Sequence, residues 1–146
     1  MARTSTYFNF PRNTEEVFNF YKSVFGTEFS GNGIARFGDF PPPAGAPQLA
    51  DEDKNLIMHI ELPILGEHVL MASDAPESMG FKITPGNNVY IMLEPDTKNE
   101  TKRMFDALAS GGKVEQELQD MFWGAYYGSC TDKFGTHWMF NCSEQK

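Results

Sequence analysis

The sequence has few cysteines and no long apolar run, and each shortage excludes a class of protein. Its only two cysteines, Cys130 and Cys142, are too few for a disulfide framework, so we expect free thiols in strands and a reducing compartment. No apolar stretch approaches the roughly 18 residues of a membrane-spanning helix. The first residues also lack the apolar core of a secretory signal. These features predict a soluble, cytoplasmic protein.

Basic charge is also scarce. Twelve Lys and Arg face twenty Asp and Glu, which leaves a net charge of −8. That sign opposes binding to phosphate backbones and to anionic lipid surfaces, so we expect neither a nucleic acid nor a membrane as partner. The sequence has no Gly-x-Ser-x-Gly elbow, Walker loop or Cys-x-x-Cys motif, and Gly31-Asn32-Gly33 lacks the third glycine of a dinucleotide fold.

What the chain does contain is enough apolar material for one core. It has 146 residues, of which 40% are hydrophobic and 13 are Phe. This length and composition favour a single folded domain over 1–146.

The first half predicts one strand, one helix and three further strands. The alternation Tyr7-Phe8-Asn9-Phe10 indicates a half-buried strand, and Asn13 with Glu16 resembles a helix cap before an apolar stripe that ends at Gly26. Further strands are predicted at residues 27–37, 56–62 and 68–73. The proline-rich segment from Phe40 to about residue 55 predicts an exposed loop that either lies over a cleft as a lid or only spans an insertion, with residues 51–53 as its solvated acidic tip.

The second half repeats this order. A strand at 89–94 precedes a helix that Thr97 caps and Gly111-Gly112 ends, and strands are predicted at 113–118, 125–131 and 136–142. The predicted fold is therefore α+β, with two βαβββ modules at about 5–75 and 88–143, joined by a linker at 76–87. Because small open sheets leave exposed edges, we expect cupped mixed sheets that line a cleft, assembled as a homodimer.

The segment 13–26 resembles the first-helix signature of the vicinal oxygen chelate superfamily, the glyoxalase and bleomycin-resistance fold. Residues 58–59, 69–75 and 131–139 resemble its PhnB-like branch. Metal-dependent members hold a divalent ion with His and Glu side chains on the first and last strands of both modules. Transferred by strand phase, those positions fall near Tyr7, Met71, Asn88 or Tyr90, and Met139. None is a usual ligand, so the resemblance implies no metal cofactor.

Other side chains remain candidates for a site. His59 and Glu61 lie two residues apart on one predicted strand, and they are the best polar candidates for catalysis or ligand orientation; the alternative is a histidine that makes a structural hydrogen bond on a partly solvated sheet. His137 shares a strand face with Met139. Trp123 belongs to an aromatic, glycine-containing segment that forms either a ligand wall or core.

Two functions remain open at this stage, beside a structural or regulatory dimer without ligand. One is metal-free binding of a small organic ligand in an aromatic and Met-lined cleft. The other is lyase, isomerase or dioxygenase chemistry, through a displaced divalent-metal site or acid–base catalysis. Proteins resembling the branch are sometimes labelled ubiquinone-pathway methyltransferases, but the chain has no glycine-rich cofactor loop in a βαβ crossover.

Overall fold

A computed structural model describes residues 2–46 and 48–143 of the chain. The chain divides into two compact units, unit 1 (Met1–Thr84) and unit 2 (Pro85–Lys146), and the division falls within the predicted linker. Each unit has the element order βαβββ, which confirms the predicted α+β fold of two modules.

Unit 1 places its helix on one face of a four-stranded mixed sheet. Its elements are β1 (Ser5–Phe10), α1 (Thr14–Phe25), β2 (Ala35–Arg36), β3 (Ile57–Pro63) and β4 (Val69–Asp74). The strand order is β1-β4-β3-β2, in which β1 runs parallel to β4 and the other pairs are antiparallel. Short 3₁₀ turns occur at Phe37–Asp39, Asp51–Asp53 and Glu77–Met79.

Unit 2 repeats this topology. Its elements are β5 (Ile91–Leu93), α2 (Lys98–Ala109), β6 (Lys113–Asp120), β7 (Tyr126–Thr131) and β8 (His137–Cys142). The strand order β5-β8-β7-β6 matches that of unit 1, and β5 runs parallel to β8. The strand predicted at 89–94 is shorter at both ends than expected.

The helix-facing side of each sheet forms the core of its unit. In β3 and β4, Ile60, Leu62, Leu70 and Ala72 are fully buried, and in β8 Trp138 and Phe140 alternate with half-buried residues. The Phe105 ring of α2 meets Phe140 edge-on at 5.4 Å between centroids. The period of two along the strands confirms which side of each sheet was expected to be buried.

The start of α1 differs from the prediction. The Asn13 side chain makes no capping hydrogen bond, and its Oδ1 is buried with no hydrogen-bond partner among the described residues. The Thr14 amide instead donates to Asp74 Oδ1 at 3.0 Å. A buried carboxylate from the end of β4 therefore replaces the local cap, and its negative charge suits a helix N-terminus.

The second predicted strand, residues 27–37, is wrong in its extent. Only Ala35–Arg36 pairs with β3. Gly31 and Gly33 adopt φ values of 66° and 75°, and the Ser30 amide donates to the Glu61 carbonyl at 3.0 Å. The left-handed backbone at these glycines forms a turn beside β3, so these residues cannot continue as an extended strand.

The acidic segment 51–53 is not wholly a solvated tip. Asp53 is 2% exposed and accepts hydrogen bonds from Ser78 Oγ at 2.6 Å and Arg12 Nη1 at 2.8 Å. The two partners, Ser78 first, lower the pKa of the Asp53 carboxyl. The proline-rich segment and the 3₁₀ turn at Glu77–Met79 are thus both tied to the end of β1 through one carboxylate.

We expect acid to release this attachment. Because its folded-state pKa is lowered, the Asp53 carboxylate stabilises unit 1 above its unfolded-state pKa of about 4, and the contribution is lost as the pH falls through the folded-state value. Amide hydrogen exchange should then accelerate at residues 53–56. In Arg12→Gln the acceleration should begin at a higher pH, whereas exchange in β4 serves as the internal control. If exchange accelerated at the same pH in wild type and Arg12→Gln, the stabilising role of the Asp53–Arg12 pair would be contradicted.

Both cysteines are free and buried in strands, as predicted. Burial, and to a smaller extent the Asp132 and Glu115 charges, raise the pKa of the Cys130 thiol to about 12. Cys130 is therefore a core side chain and not a nucleophile at neutral pH. Among residues 2–46 and 48–143, no helix is both long and apolar enough to cross a bilayer.

Candidate ligand site

The face of the unit 1 sheet opposite α1 carries a group of polar side chains. His59 and Glu61 alternate with buried residues of β3, Tyr7 projects from β1, and Ser73 projects from β4. We call Tyr7, His59, Glu61 and Ser73 the His59 cluster. Met71 is paired with Tyr7 on one side and with Glu61 on the other, so an apolar thioether lies within this polar face.

Short polar contacts connect the members of the His59 cluster. His59 Nε2 lies 3.1 Å from Glu61 Oε1, and His59 Nδ1 lies 3.4 Å from the Tyr7 hydroxyl. The Tyr7 hydroxyl also contacts Ser73 Oγ, which donates to the Met58 carbonyl at 2.7 Å. The structure therefore brings together three predicted site residues, Tyr7, His59 and Glu61.

The Glu61 carboxylate is held from several sides. Ser30 Oγ lies 3.3 Å from Oε2, and the Arg3 guanidinium lies 3.8 Å from Oε1. A side chain at Gly31 would place its Cβ 2.9 Å from Oε2, so the turn at 30–33 packs directly on the carboxylate. The hydrogen bond from His59 is the largest cause that lowers the pKa of Glu61. Burial opposes it, and the charges of His59 and Arg3 each add a smaller lowering effect.

Unit 2 carries a second cluster built from the same residue types. The Tyr90 hydroxyl donates to Glu115 Oε2 at 2.7 Å, and Thr131 Oγ1 lies 3.0 Å from Glu115 Oε1 and 2.8 Å from His137 Nδ1. His137 Nε2 donates to the Gly86 carbonyl at 3.0 Å. We call Tyr90, Glu115, Thr131 and His137 the His137 cluster.

The electrostatics of the His137 cluster centre on Glu115. The hydrogen bond from Tyr90 is the largest cause that lowers the pKa of Glu115, and the same bond raises the pKa of the Tyr90 phenol. The Tyr90 and His137 rings lie 5.1 Å apart between centroids. Tyr90 and His137, predicted separately as ligand-binding residues, therefore belong to one hydrogen-bonded group.

Comparison with known families gives one decisive result. The sequence model of the Glyoxalase/Bleomycin resistance protein/Dioxygenase superfamily matches residues 8–140. The chain belongs to this superfamily. The match spans both units and confirms the family inferred from the helix and strand motifs.

Relatives of the chain within the superfamily include proteins of similar length. Protein YjdN of Escherichia coli is 29% identical over 97% of this chain and 96% of its own. The crystal structure of PA1353 from Pseudomonas aeruginosa aligns with a TM-score of 0.82 and 35% identity, over 99% of this chain and all of that one. A Bacillus cereus structure described as a putative 3-demethylubiquinone-9 3-methyltransferase, PhnB protein, aligns with a TM-score of 0.70 and 22% identity, over 97% of this chain and 99% of its own. That last similarity shows the fold alone.

The register of the parallel strand pairs places an aromatic and three thioether side chains opposite one another. Tyr7 faces Met71 across β1 and β4, and Met139 faces Met92 across β8 and β5. Met92 is 46% exposed. Asn88 is exposed and precedes the strand. No group of three or more His, Cys, Asp and Glu able to hold a metal occurs in the described part of the chain.

The remaining candidates lie elsewhere. Trp123 is half exposed in the turn between β6 and β7, and its ring meets those of Phe122 and Tyr127. His68 is half-buried, and its Nε2 lies 2.8 Å from Thr6 Oγ1. Sequence reasoning missed Ser30, Ser73, Glu115 and Thr131. Their hydroxyl and carboxyl groups join the clusters through strand pairing and turns that no local pattern specifies.

Proposed function

We propose that the chain binds a small organic molecule against the sheet faces that carry the two clusters, without a divalent metal. The observation that supports it most directly is the Tyr7–Met71 pair beside His59. Tyr7 is 50% exposed and the His59 side chain is 37% exposed, so an aromatic ring, a thioether and an imidazole are accessible on one face. Apolar surface with a few oriented polar groups is typical of ligand sites.

The donor types favour the metal-free form of this proposal. A phenol at Tyr7 and thioethers at Met71, Met92 and Met139 occupy the paired strand positions. Divalent Mn, Fe, Ni and Zn prefer imidazole and carboxylate ligands, and thioethers select softer ions. These residues do not fit the metal of the catalytic superfamily members, so we assign no step to a metal.

The second sheet face offers the matching surface in unit 2. Tyr90 and His137 supply polar groups, Met139 and Trp123 supply apolar area, and Asn88 lies just before β5. We include these five residues in the proposed ligand contacts, because the fold of unit 2 repeats that of unit 1.

A second function, catalysis, is favoured by one observation. Glu61 fixes one nitrogen of the accessible His59 ring, which is the arrangement of an imidazole that accepts a proton. Lyase, isomerase or dioxygenase chemistry is then the alternative in the same site, metal-free or through a displaced metal site, with His59 and Glu61 as its residues.

We further propose that the chain acts as a cytoplasmic homodimer. The edge strand β6 is exposed along nearly its whole length, and Phe122 at its end is 98% exposed. Pairing between copies protects such an edge. Light scattering in solution tests the dimer.

The binding proposal is tested by a fragment screen with a metal control. Full-length protein, purified without chelator, is incubated in turn with Mn, Fe, Ni and Zn, desalted and analysed by elemental mass spectrometry; we expect no saturable, stoichiometric ion. The same protein is screened by ligand-observed NMR against planar aromatic fragments. We expect hits whose affinity falls at least about tenfold in Tyr7→Ala and Met71→Ala, the loss of about one well-packed contact.

Phe81→Ala supplies the matched control, because Phe81 is an equally exposed aromatic residue of unit 1 that lies outside the sheet. Hits that Phe81→Ala weakens as strongly as Tyr7→Ala would contradict the assigned face. A stoichiometric ion would contradict the metal-free form and favour the displaced metal site.

A further inference from the structure

The His59 cluster has more hydrogen-bond acceptors than hydrogens to donate to them. Ser73 Oγ carries one hydrogen and donates it to the Met58 carbonyl at 2.7 Å. Ser73 Oγ can then only accept in its contact with the Tyr7 hydroxyl. The single Tyr7 proton is therefore used on Ser73.

His59 is fixed from its other side. The Glu61 carboxylate accepts from His59 Nε2 at 3.1 Å, so Nε2 carries the ring proton when the imidazole is neutral. Ser30, Arg3 and the close approach of Gly31 hold the carboxylate in this orientation. His59 Nδ1 is left with a lone pair.

The gap between Tyr7 and His59 consequently contains two acceptors and no proton. The 3.4 Å between the Tyr7 oxygen and His59 Nδ1 is longer than a good hydrogen bond. Both side chains are partly exposed, so a donor from a ligand can reach this gap.

The His137 cluster has the same proton count but closer packing. Thr131 Oγ1 donates its one hydrogen to Glu115 Oε1 at 3.0 Å. His137 Nε2 donates to the Gly86 carbonyl at 3.0 Å, and its Nδ1 lies 2.8 Å from Thr131 Oγ1. Both nitrogens of His137 are therefore within hydrogen-bond distance of a protein atom. The two histidines therefore differ in access. The His59 side chain is 37% exposed and its Nδ1 lies 3.4 Å from the Tyr7 hydroxyl, whereas the His137 side chain is 16% exposed and its Nδ1 is in close contact with Thr131.

We propose that His59 Nδ1 is the proton acceptor for a ligand that carries a weakly acidic hydroxyl, such as a phenol or an enol. In the bound state the ligand O–H bond breaks, its electron pair stays on the ligand oxygen, and the proton forms an Nδ1–H bond. The products are a ligand oxyanion and an imidazolium that Glu61 stabilises through Nε2–H. The new Nδ1–H then donates to the oxyanion or to the Tyr7 oxygen.

The surroundings define the ligand further. The Tyr7 ring and Met71 lie on the same face, which suits a planar, largely apolar molecule attached to the acidic hydroxyl. Arg3, 3.8 Å from Glu61, offsets the carboxylate charge that would otherwise repel the oxyanion. This assignment rests on the proposed ligand-binding function and names the chemical class of its ligand.

The test compares two probes that differ by one proton. 4-Nitrophenol offers a weakly acidic hydroxyl and absorbs in the visible range when ionised, whereas 4-nitroanisole replaces that hydroxyl by a methyl ether. In a buffer just below the pKa of free 4-nitrophenol, most of the probe is protonated while an ordinary imidazole, with a reference pKa of about 6.5, is still largely neutral. There the full-length protein should increase the phenolate band. It should also bind the phenol at least about tenfold more tightly than the anisole, the size of one charge-assisted hydrogen bond.

Three variants separate the roles. His59→Gln keeps an N–H donor for Glu61 but replaces the basic nitrogen by an amide oxygen, which can accept a hydrogen bond but cannot take up the proton, so it should lose the phenolate band. Tyr7→Phe should keep the band, because Tyr7 is not the proton acceptor. His68→Gln, a half-buried histidine of the same unit, should match wild type in both measurements.

A second measurement does not depend on any variant. Nitrogen-15 NMR of labelled histidine should show His59 in the free protein as the neutral Nε2–H form and, with 4-nitrophenol bound, as the imidazolium. A phenol that binds without a phenolate band, or a band that survives in folded His59→Gln, overturns the assignment and leaves the binding proposal intact. If neither probe binds, the assignment is also overturned, while the binding proposal fails only if the fragment screen is empty as well.

Discussion

Asp132→Ala is expected to destabilise unit 2 by about 5 kcal/mol. Asp132 is 3% exposed, and its Oδ1 accepts from the amides of Phe134 at 2.9 Å and Thr136 at 3.1 Å. Its Oδ2 accepts from Trp138 Nε1 at 2.9 Å. Hydrogen bonds to a charged acceptor contribute about 1.5–3 kcal/mol each, and truncation leaves the buried indole N–H without its acceptor.

Tryptophan fluorescence measures this effect in unit 2 alone, because both tryptophans of the chain, Trp123 and Trp138, lie there. Denaturant unfolding followed by this signal should show a large drop in the midpoint for Asp132→Ala. The midpoint of Asp132→Asn should lie between those of Asp132→Ala and wild type. The asparagine amide oxygen still accepts a hydrogen bond, but its NH₂ group faces a donor where the carboxylate had a second acceptor oxygen. Asp120→Ala, which removes an exposed partner of Lys98, is the control and should change little. Equal midpoints for Asp132→Ala and Asp120→Ala would refute the role.

Part of the Asp132 arrangement is visible in the sequence. Asp at the first position and Gly at the fourth of Asp132-Lys133-Phe134-Gly135 indicate a β-turn, and the turn is present, with the Gly135 amide bonded to the Asp132 carbonyl at 3.0 Å. The bond to Trp138 is not visible, because it depends on how the indole lies beneath α2. The residue types at the turn positions predict the turn, whereas the packing of Trp138 determines which donor Asp132 Oδ2 accepts from.

The same distinction separates the predicted from the missed site residues. His59 and Glu61 were predictable as neighbours because a strand repeats its faces every two residues, and the 3.1 Å contact follows from that period. Glu115 lies on the edge strand β6, far along the chain from both Tyr90 and Thr131, and it nevertheless contacts both. The register of pairing between strands, which the sequence alone leaves open, determines that contact.

The failed prediction of a strand at residues 27–37 has a related cause. Its residues include Phe29, Ile34 and Phe37, which suit a strand, and Gly31 and Gly33 are compatible with a bulge. The glycines instead form a turn that packs on the Glu61 side chain. The contact between this turn and Glu61 therefore accompanies the left-handed backbone at Gly31 and Gly33. The β-propensity of single residues is small, so a tertiary contact that requires left-handed backbone can override it.

Asp74→Ala is expected to destabilise unit 1 by about 4 kcal/mol. Asp74 is 3% exposed, its Oδ1 accepts from the Thr14 amide at 3.0 Å, and its Oδ2 accepts from the Ile57 amide at 2.8 Å. Removal of the carboxylate leaves two buried amides unpaired, at about 1–3 kcal/mol each, and removes the negative charge at the N-terminus of α1.

Native-state hydrogen exchange with mass spectrometry is the suitable measurement, because unit 1 contains no tryptophan. Asp74→Ala should lower the protection of peptides that cover the first turn of α1 and the start of β3. Glu67→Ala, an exposed change in the turn between β3 and β4, should leave both as in wild type.

The pattern of that loss distinguishes two roles for Asp74. A carboxylate that acts only as a helix cap would affect the start of α1 and leave the Ile57 peptide protected. A carboxylate that joins the end of β4 to both α1 and β3 should lower protection at both places together, since each oxygen serves one of them. Joint loss is the expected result, because Asn13 supplies no side-chain cap that could retain the helix start once Asp74 is gone.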